Sequence, residues 1–345
     1  MSDRTGTTTL TLAPLHGVTG RILRSAWFRS FGGFDAVMAP FLLAVPGPSA
    51  KRNHYRDLVP AEAIPVPLVP QILGNDADSF LSTARALRDA GYARFNWNLG
   101  CPYPMVTKKF RGAGLLPYPE RVDGFLGRVF ADGLFARGEA TLSVKLRLGL
   151  ANPGEILALM PALNRHPLEA VILHARIGTQ MYRGSVNLEA FEAAAALSAR
   201  PLAYNGDITG LSGFMALSER LAGVSDWMIG RGALADPFLP ARIKRATAPR
   251  GGSGSGPVRF PAAGAEPPAI GSPDWLSSIR VFHDDAYAGY RAALCGPSHV
   301  LAKMKELWGY LAPSFPSRRR ELGGIPRARS FAEYERAVGA ILGRT

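Results

Sequence analysis

Eight short apolar stretches recur along the first two thirds of the chain, and nearly every one stops at a polar or reactive residue. They are LTLAPL (10–15), DAVMAPF (35–41), LVPQI (68–72), ARFNWN (93–98), TLSVKLR (141–147), EAVILHAR (169–176), PLAYNGD (201–207) and DWMIGR (226–231). Their starts are mostly 25 to 33 residues apart, with one longer gap after the fourth. Helical periodicity fills the intervals. Phe80, Leu81, Ala84 and Leu87 share a face within 76–90, where Asp76 or Asp78 can cap the start and Gly91 can stop the helix; 153–164 and 211–221 repeat the pattern. Strand–helix alternation with short links calls for parallel pairing through right-handed crossovers. Eight such units predict an α/β fold, a (β/α)8 TIM barrel, whose strands deliver their last residues to one rim. That rim carries Pro14, Gln71, Asn98, Cys101, Lys145, Arg147, His174, Arg176, Asn205, Gly206, Asp207, Gly230 and Arg231.

The barrel is expected to close near Lys244, giving a catalytic unit over 1–247. Residues 248–273 are rich in Gly, Pro, Ser and Ala without periodicity and read as a flexible linker. From 274 to 345 helical spacing returns, with Ile279, Phe282, Ala286 and Tyr290 on one face and Leu301, Met304, Leu307, Trp308 and Leu311 on another. A small C-terminal helical domain is expected there.

The 345 residues suit one barrel of roughly 250 plus this appendage. No run approaches the ~18–20 apolar residues of a membrane span, and MSDRTGTTTL lacks the pattern of a secretory signal. Two cysteines, Cys101 and Cys295, and no CxxC pair exclude a disulfide framework and point away from a metal site. A cytoplasmic, metal-free protein is expected. The formal net charge of +13 suits a polyanionic partner, although a coding bias toward Arg and Ala gives the same balance.

In barrels, the loops after the last two strands commonly cradle a phosphate with backbone N–H groups. Here they are AYNGDITG (203–210) and MIGRGAL (228–234), with glycines at 206, 230 and 232 and the charge of Arg231. No GxGxxG or GxxxxGK[ST] is present. Flavin mononucleotide (FMN) fits the other strand ends: Gln71 can bond the polar edge of an isoalloxazine, and Lys145 can place charge near N1. Lys145 alternates with Leu142, Val144 and Leu146, so it shares a face with Ser143 and Arg147, where an unpaired ammonium would be costly. His174 reads equally as a core histidine or a cofactor contact.

In NLGCPYP (98–104), Gly100 and Pro102 force a turn that lifts Cys101 over the mouth. A thiol with a pKa near ~8.5 stays mostly protonated at neutral pH and can donate. Cys295 has no such setting and reads as packing. Lys108, Lys109 and Arg111 precede the glycines of GAG (112–114), which reads as a basic, mobile loop beside the thiol, fit for an anionic substrate or simply solvated.

Together LAPLHGVT (12–19), VPQILGN (69–75), NLGCPYPMV (98–106) with GAGLL (112–116), VKLRLG (144–149), ILHARIGTQMYRG (172–184), YNGDI (204–208) and IGRGAL (229–234) resemble the tRNA-dihydrouridine synthase family. The resemblance implies FMN, with NADPH or NADH as transient reductant, and reduction of a uridine in tRNA to 5,6-dihydrouridine. Pro14, Leu15, His16, Gln71, Lys145, His174, Asn205, Gly206, Asp207, Gly230 and Arg231 would hold FMN. Asn98, Arg147, Arg176, Lys108, Lys109 and Arg111 would meet the substrate, and the helical tail would bind tRNA. Hydride from flavin N5 would go to uracil C6 and a proton from Cys101 to C5. No membrane or stable protein partner is implied, and a monomer is expected. Two departures stand out: Asn96 replaces a frequent acidic residue, and Tyr103–Met105 occupy positions where a lysine is common. A dihydroorotate-dehydrogenase-like enzyme acting on a free pyrimidine, and a non-catalytic RNA-binding barrel, are the alternatives.

Overall fold

A computed structural model describes residues 7–47, 55–58, 64–248 and 266–343. Ten short parallel strands alternate with helices: β1 Thr9–Leu12, β2 Ala36–Met38, β3 Leu42–Leu43, β4 Leu68–Val69, β5 Gln71–Leu73, β6 Arg94–Leu99, β7 Thr141–Arg147, β8 Val171–His174, β9 Leu202–Asn205 and β10 Asp226–Ile229. Every apolar stretch of the sequence contributes a strand. β4 and β5 form one extended run interrupted at Pro70, which has no N–H to donate; its carbonyl accepts Asn96 N–H at 2.9 Å. β4 pairs with β2, and β5 with β6. The interrupted run therefore joins the two ends of the sheet, and the barrel closes. The two-residue β3, pairing with β5, is an addition the sequence pattern did not reveal.

Outward residues such as Phe95, Trp97, Leu142, Val144 and Leu146 are fully buried beneath the helices. The lumen is divided. Ala13, Met38, Ile172, Ala203 and Met228 form a small apolar cluster on one side. On the other side β5, β6 and β7 bring Gln71, Asn96, Asn98, Ser143 and Lys145 into adjacent register. The helix Ala77–Asp89 begins at Asp76, whose carboxylate accepts Ser79 N–H at 2.8 Å. At the barrel's base the Lys244 ammonium donates to the Thr8 carbonyl (2.6 Å) and Asp35 (2.8 Å), near the expected closing point.

The expected linker lies mostly outside the described residues, at 249–265. Beyond it, helix Pro273–Ala293 packs on the barrel helix Arg21–Ser30 and helix Gly296–Leu311 on Arg231–Ala235, while Phe331–Leu342 packs on these two C-terminal helices. Phe282 meets Trp27 and Phe31 with ring centroids at 5.8 and 5.2 Å. Tyr334 joins the three helices through its hydroxyl, bonded to His283 (2.6 Å) and Trp308 (2.9 Å). Two expectations need correction. Cys295 is exposed, at the start of Gly296–Leu311, so it fills no core. The GAG segment is no mobile loop: Gly112–Leu115 is a buried 3-10 turn, and a Cβ on Gly114 would sit 2.4 Å from the Thr107 carbonyl oxygen. Its glycines serve close packing.

Candidate active site

A cavity of about 900 Å3, measured to its open mouth, lies at the C-terminal ends of the strands. Pro14, Leu15, His16, Gln71, Asn98, Cys101, Lys145, Arg147, His174, Asn205, Gly206, Asp207, Gly230 and Arg231 all line it.

On one wall Cys101 is buried, in a turn held by Asn98. The Asn98 side-chain oxygen accepts the N–H groups of Gly100 (3.0 Å) and Cys101 (2.9 Å). Asn98 Nδ2 donates to Gln71 Oε1 (2.7 Å), Gln71 Nε2 to Asn96 Oδ1 (2.7 Å), and Asn96 Nδ2 to Ser143 Oγ (2.9 Å). The amide orientations follow from this mutual bonding. Gln71 is thus largely committed to its neighbours. Burial pushes the Cys101 thiol up from its ordinary pKa, against smaller pulls from the Tyr103 backbone N–H and Arg147.

The Lys145 side-chain ammonium has no hydrogen-bond or ion-pair partner among the described residues, and burial followed by repulsion from Arg147 lowers its pKa to about 7. His174 is buried beside Arg147, Lys145, Arg176 and Arg231. Desolvation and these cations hold it well below its usual pKa, so the ring is neutral at pH 7.

Opposite, the β9 and β10 loops meet. Asp207 adopts φ +37° and pairs with Arg176 and with Arg231 (2.9 Å). Burial would raise the Asp207 pKa, but the Arg176 bond and the charges of Arg176 and Arg231 keep it low. Gly232 has a specific reason to lack a side chain: a Cβ there would stand 1.9 Å from the Ile208 carbonyl oxygen. The short helix Arg231–Ala235 follows Gly230, whose carbonyl accepts the N–H groups of Ala233 (3.1 Å) and Leu234 (3.3 Å), so the N–H groups of Arg231 and Gly232 are the ones left without an intrahelical partner. Arg231 also lies 4.8 Å above the Tyr182 ring.

Several predicted substrate contacts sit elsewhere or are engaged. Arg176 lies outside this cavity, its guanidinium taken up by the Gly184 carbonyl and Asp207. These bonds tie the loops after β8 and β9 together. Arg147 lines the cavity but donates to the carbonyls of Gly100 (3.1 Å), Ile177 (2.9 Å) and Met181 (2.7 Å). Lys109 and Arg111 border a neighbouring groove, and Lys108 is exposed outside both spaces. The sequence reading missed Phe41, Tyr103, Tyr182 and Thr209, which also line the cavity; Tyr182 lay in plain view within the ILHARIGTQMYRG motif. Among the described residues no His/Cys/Asp/Glu group could hold a metal ion, and no helix is long and apolar enough to cross a membrane.

The sequence pattern of a known family, Dihydrouridine synthase (Dus), matches residues 11–253. The tRNA-dihydrouridine(16) synthase of Ralstonia nicotianae is 26% identical over 341 residues, covering 97% of this chain and 96% of its own. The enzyme of the same name from Cupriavidus necator is 26% identical over 339 residues, covering 97% of each. A probable tRNA-dihydrouridine synthase of Rhodobacter capsulatus is 27% identical over 246 residues, 68% of this chain and 70% of its own. The chain belongs to the dihydrouridine synthase family, flavin-dependent oxidoreductases that reduce uridine in tRNA to dihydrouridine.

Proposed function

We propose that the cavity holds FMN, that Cys101 is the general acid, and that the uridine reduced is the one at position 16 of tRNA. The observation that carries this reading is that Cys101, the unpartnered Lys145 and the paired glycine-bearing loops line one cavity. The residues fit the cofactor. Lys145 offers an unsatisfied ammonium and His174 a neutral ring, beside Gln71, Pro14 and Leu15. Asn205, Gly206, Asp207, Gly230 and Arg231 form the loops where free N–H groups and a guanidinium suit a phosphate. When bound, FMN takes electrons from NAD(P)H and supplies them as hydride to uracil C6.

Cys101 supplies the proton. Burial keeps it on Sγ at neutral pH, and transfer to C5 completes saturation of the C5–C6 bond. The Tyr103 N–H and Arg147 both favour the thiolate left behind, which regains a proton from solvent. General acid help of this kind is worth ~10²–10⁴ in rate. Asn98 and Arg147 hold the turn around the thiol. Lys108, Lys109 and Arg111 suit tRNA phosphates, and the C-terminal helices extend the basic surface with Lys305 and Arg318–Arg320. The protein acts as a monomer in the cytoplasm.

Position 16 rests on the two relatives aligned over 97% of this chain. Dihydrouridine mapping in tRNA from a strain lacking this protein tests it: uridine should replace dihydrouridine at position 16 alone. Loss at another position, with 16 intact, overturns the assignment.

A further inference from the structure

The cavity opens into a second groove of about 2050 Å3. His16 and Phe41 line both spaces and stand at their boundary. Their rings are stacked, with centroids 4.7 Å apart and planes 11° from parallel. Phe41 is half-buried and covers one face of the imidazole; His16 is exposed, so its other face is available. The turn beneath is pinned: Gly17 takes φ +83°, and its carbonyl accepts the Lys303 ammonium from the helix Gly296–Leu311. The groove beyond is cationic. Arg21, Arg56, Lys109, Arg111 and Lys303 line it; among the described residues the nearby carboxylates are Asp57, paired with Arg24 at 2.9 Å, and Glu306, paired with Lys303 at 3.6 Å, which leaves Arg21, Arg56, Lys109 and Arg111 in excess. Its rim carries the exposed apolar side chains of Leu43 and Met105.

We infer that His16, backed by Phe41, is a stacking platform for the base next to the target uridine, and that the groove takes the phosphates of that flanking segment. The inference rests on the tRNA reading above and narrows it. An enzyme that works on a base must draw it from its stack, which bares a face of the neighbouring base. A fixed ring at the threshold replaces the lost stacking without demanding a sequence, because every base has a π-face. The excess of cations suits a polyanion crossing the groove. On this assignment His16 serves the RNA rather than FMN, whereas Pro14 and Leu15 remain with the cofactor.

The test compares the flavin-loaded wild type with His16→Ala and His16→Phe. His16→Ala should keep its flavin and raise the KM for tRNA roughly tenfold, with the single-turnover rate at saturating tRNA within about twofold of wild type. His16→Phe should restore the KM. A tRNA abasic at one of the two neighbours of the target should raise the wild-type KM similarly, and should add nothing to His16→Ala. Loss of flavin from His16→Ala, an unchanged KM, or full additivity with abasic sites on both sides overturns the inference while the parent reading stands. A flavin-loaded wild type that forms no dihydrouridine in any tRNA overturns the parent reading and this inference with it.

Discussion

The side-chain oxygen of Asn98 accepts the backbone N–H of Cys101 at 2.9 Å, so the penultimate residue of β6 fixes the turn bearing the thiol. The same oxygen holds Gly100, and the Asn98 amide is itself held by Gln71. Asn98→Ala strands two N–H groups in a partly buried turn. It should lower stability by about 1–3 kcal/mol in thermal unfolding. In a Cys295→Ser background it should also speed alkylation of Cys101, because the turn loosens. An unchanged alkylation rate would mean that other contacts hold the turn.

Arg147 works differently from a substrate-facing cation. Three carbonyls from two separate loops converge on its guanidinium. A lysine has no planar fork and cannot reproduce that geometry. Arg147→Lys should cost at least about 2 kcal/mol of stability even in flavin-free protein, since hydrogen bonds from a charged group are worth ~1.5–3 kcal/mol each. Calorimetry with and without tRNA separates this from a substrate role, which would leave the free protein's melting temperature unmoved.

Lys145 sets a pH dependence. Its pKa in the folded protein is about 7, against ~10.4 for an unfolded lysine. Between those values the folded flavin-free protein binds fewer protons than the unfolded chain, so stability rises with pH across the window. Below about 7 both states carry the charge and the penalty of an unpartnered ammonium is complete. Flavin-free Lys145→Met should therefore melt above wild type at pH 6, with the difference fading toward pH ~10. Equal offsets at both pH values would contradict the burial argument.

Gly232 carries the loop pairing. A methyl group there meets the Ile208 carbonyl oxygen at 1.9 Å, a backbone atom that cannot swing aside. Gly232→Ala should part the β9 and β10 loops and release FMN, read as flavin absorbance lost on gel filtration. Full retention would show that the loops tolerate separation.

The barrel was legible because buried parallel strands leave apolar runs at a regular interval, and all eight runs became strands. The polar half of the lumen was foreshadowed by the alternation of Leu142, Val144 and Leu146 with Ser143, Lys145 and Arg147. β3 was not, because two residues carry no periodicity. Gly112 and Gly114 misled because glycine marks a tight approach as readily as a mobile loop, and only the position of Thr107 and Cys101 decides between them. Arg176 looked free at a strand end because Asp207, its partner, lies on the next strand's loop. Phe41 reaches the mouth from another element, and its contact with His16 spans 25 residues that no local pattern connects.

The reaction turns on whether one buried sulfur delivers the proton. Flavin-loaded Cys101→Ala, given NADPH and tRNA lacking dihydrouridine, measures this most directly. It should retain its flavin absorbance and its reduction by NADPH, while dihydrouridine forms ~10²–10⁴ times more slowly than with wild type. A rate within a few-fold of wild type would contradict the assignment of Cys101 as the acid.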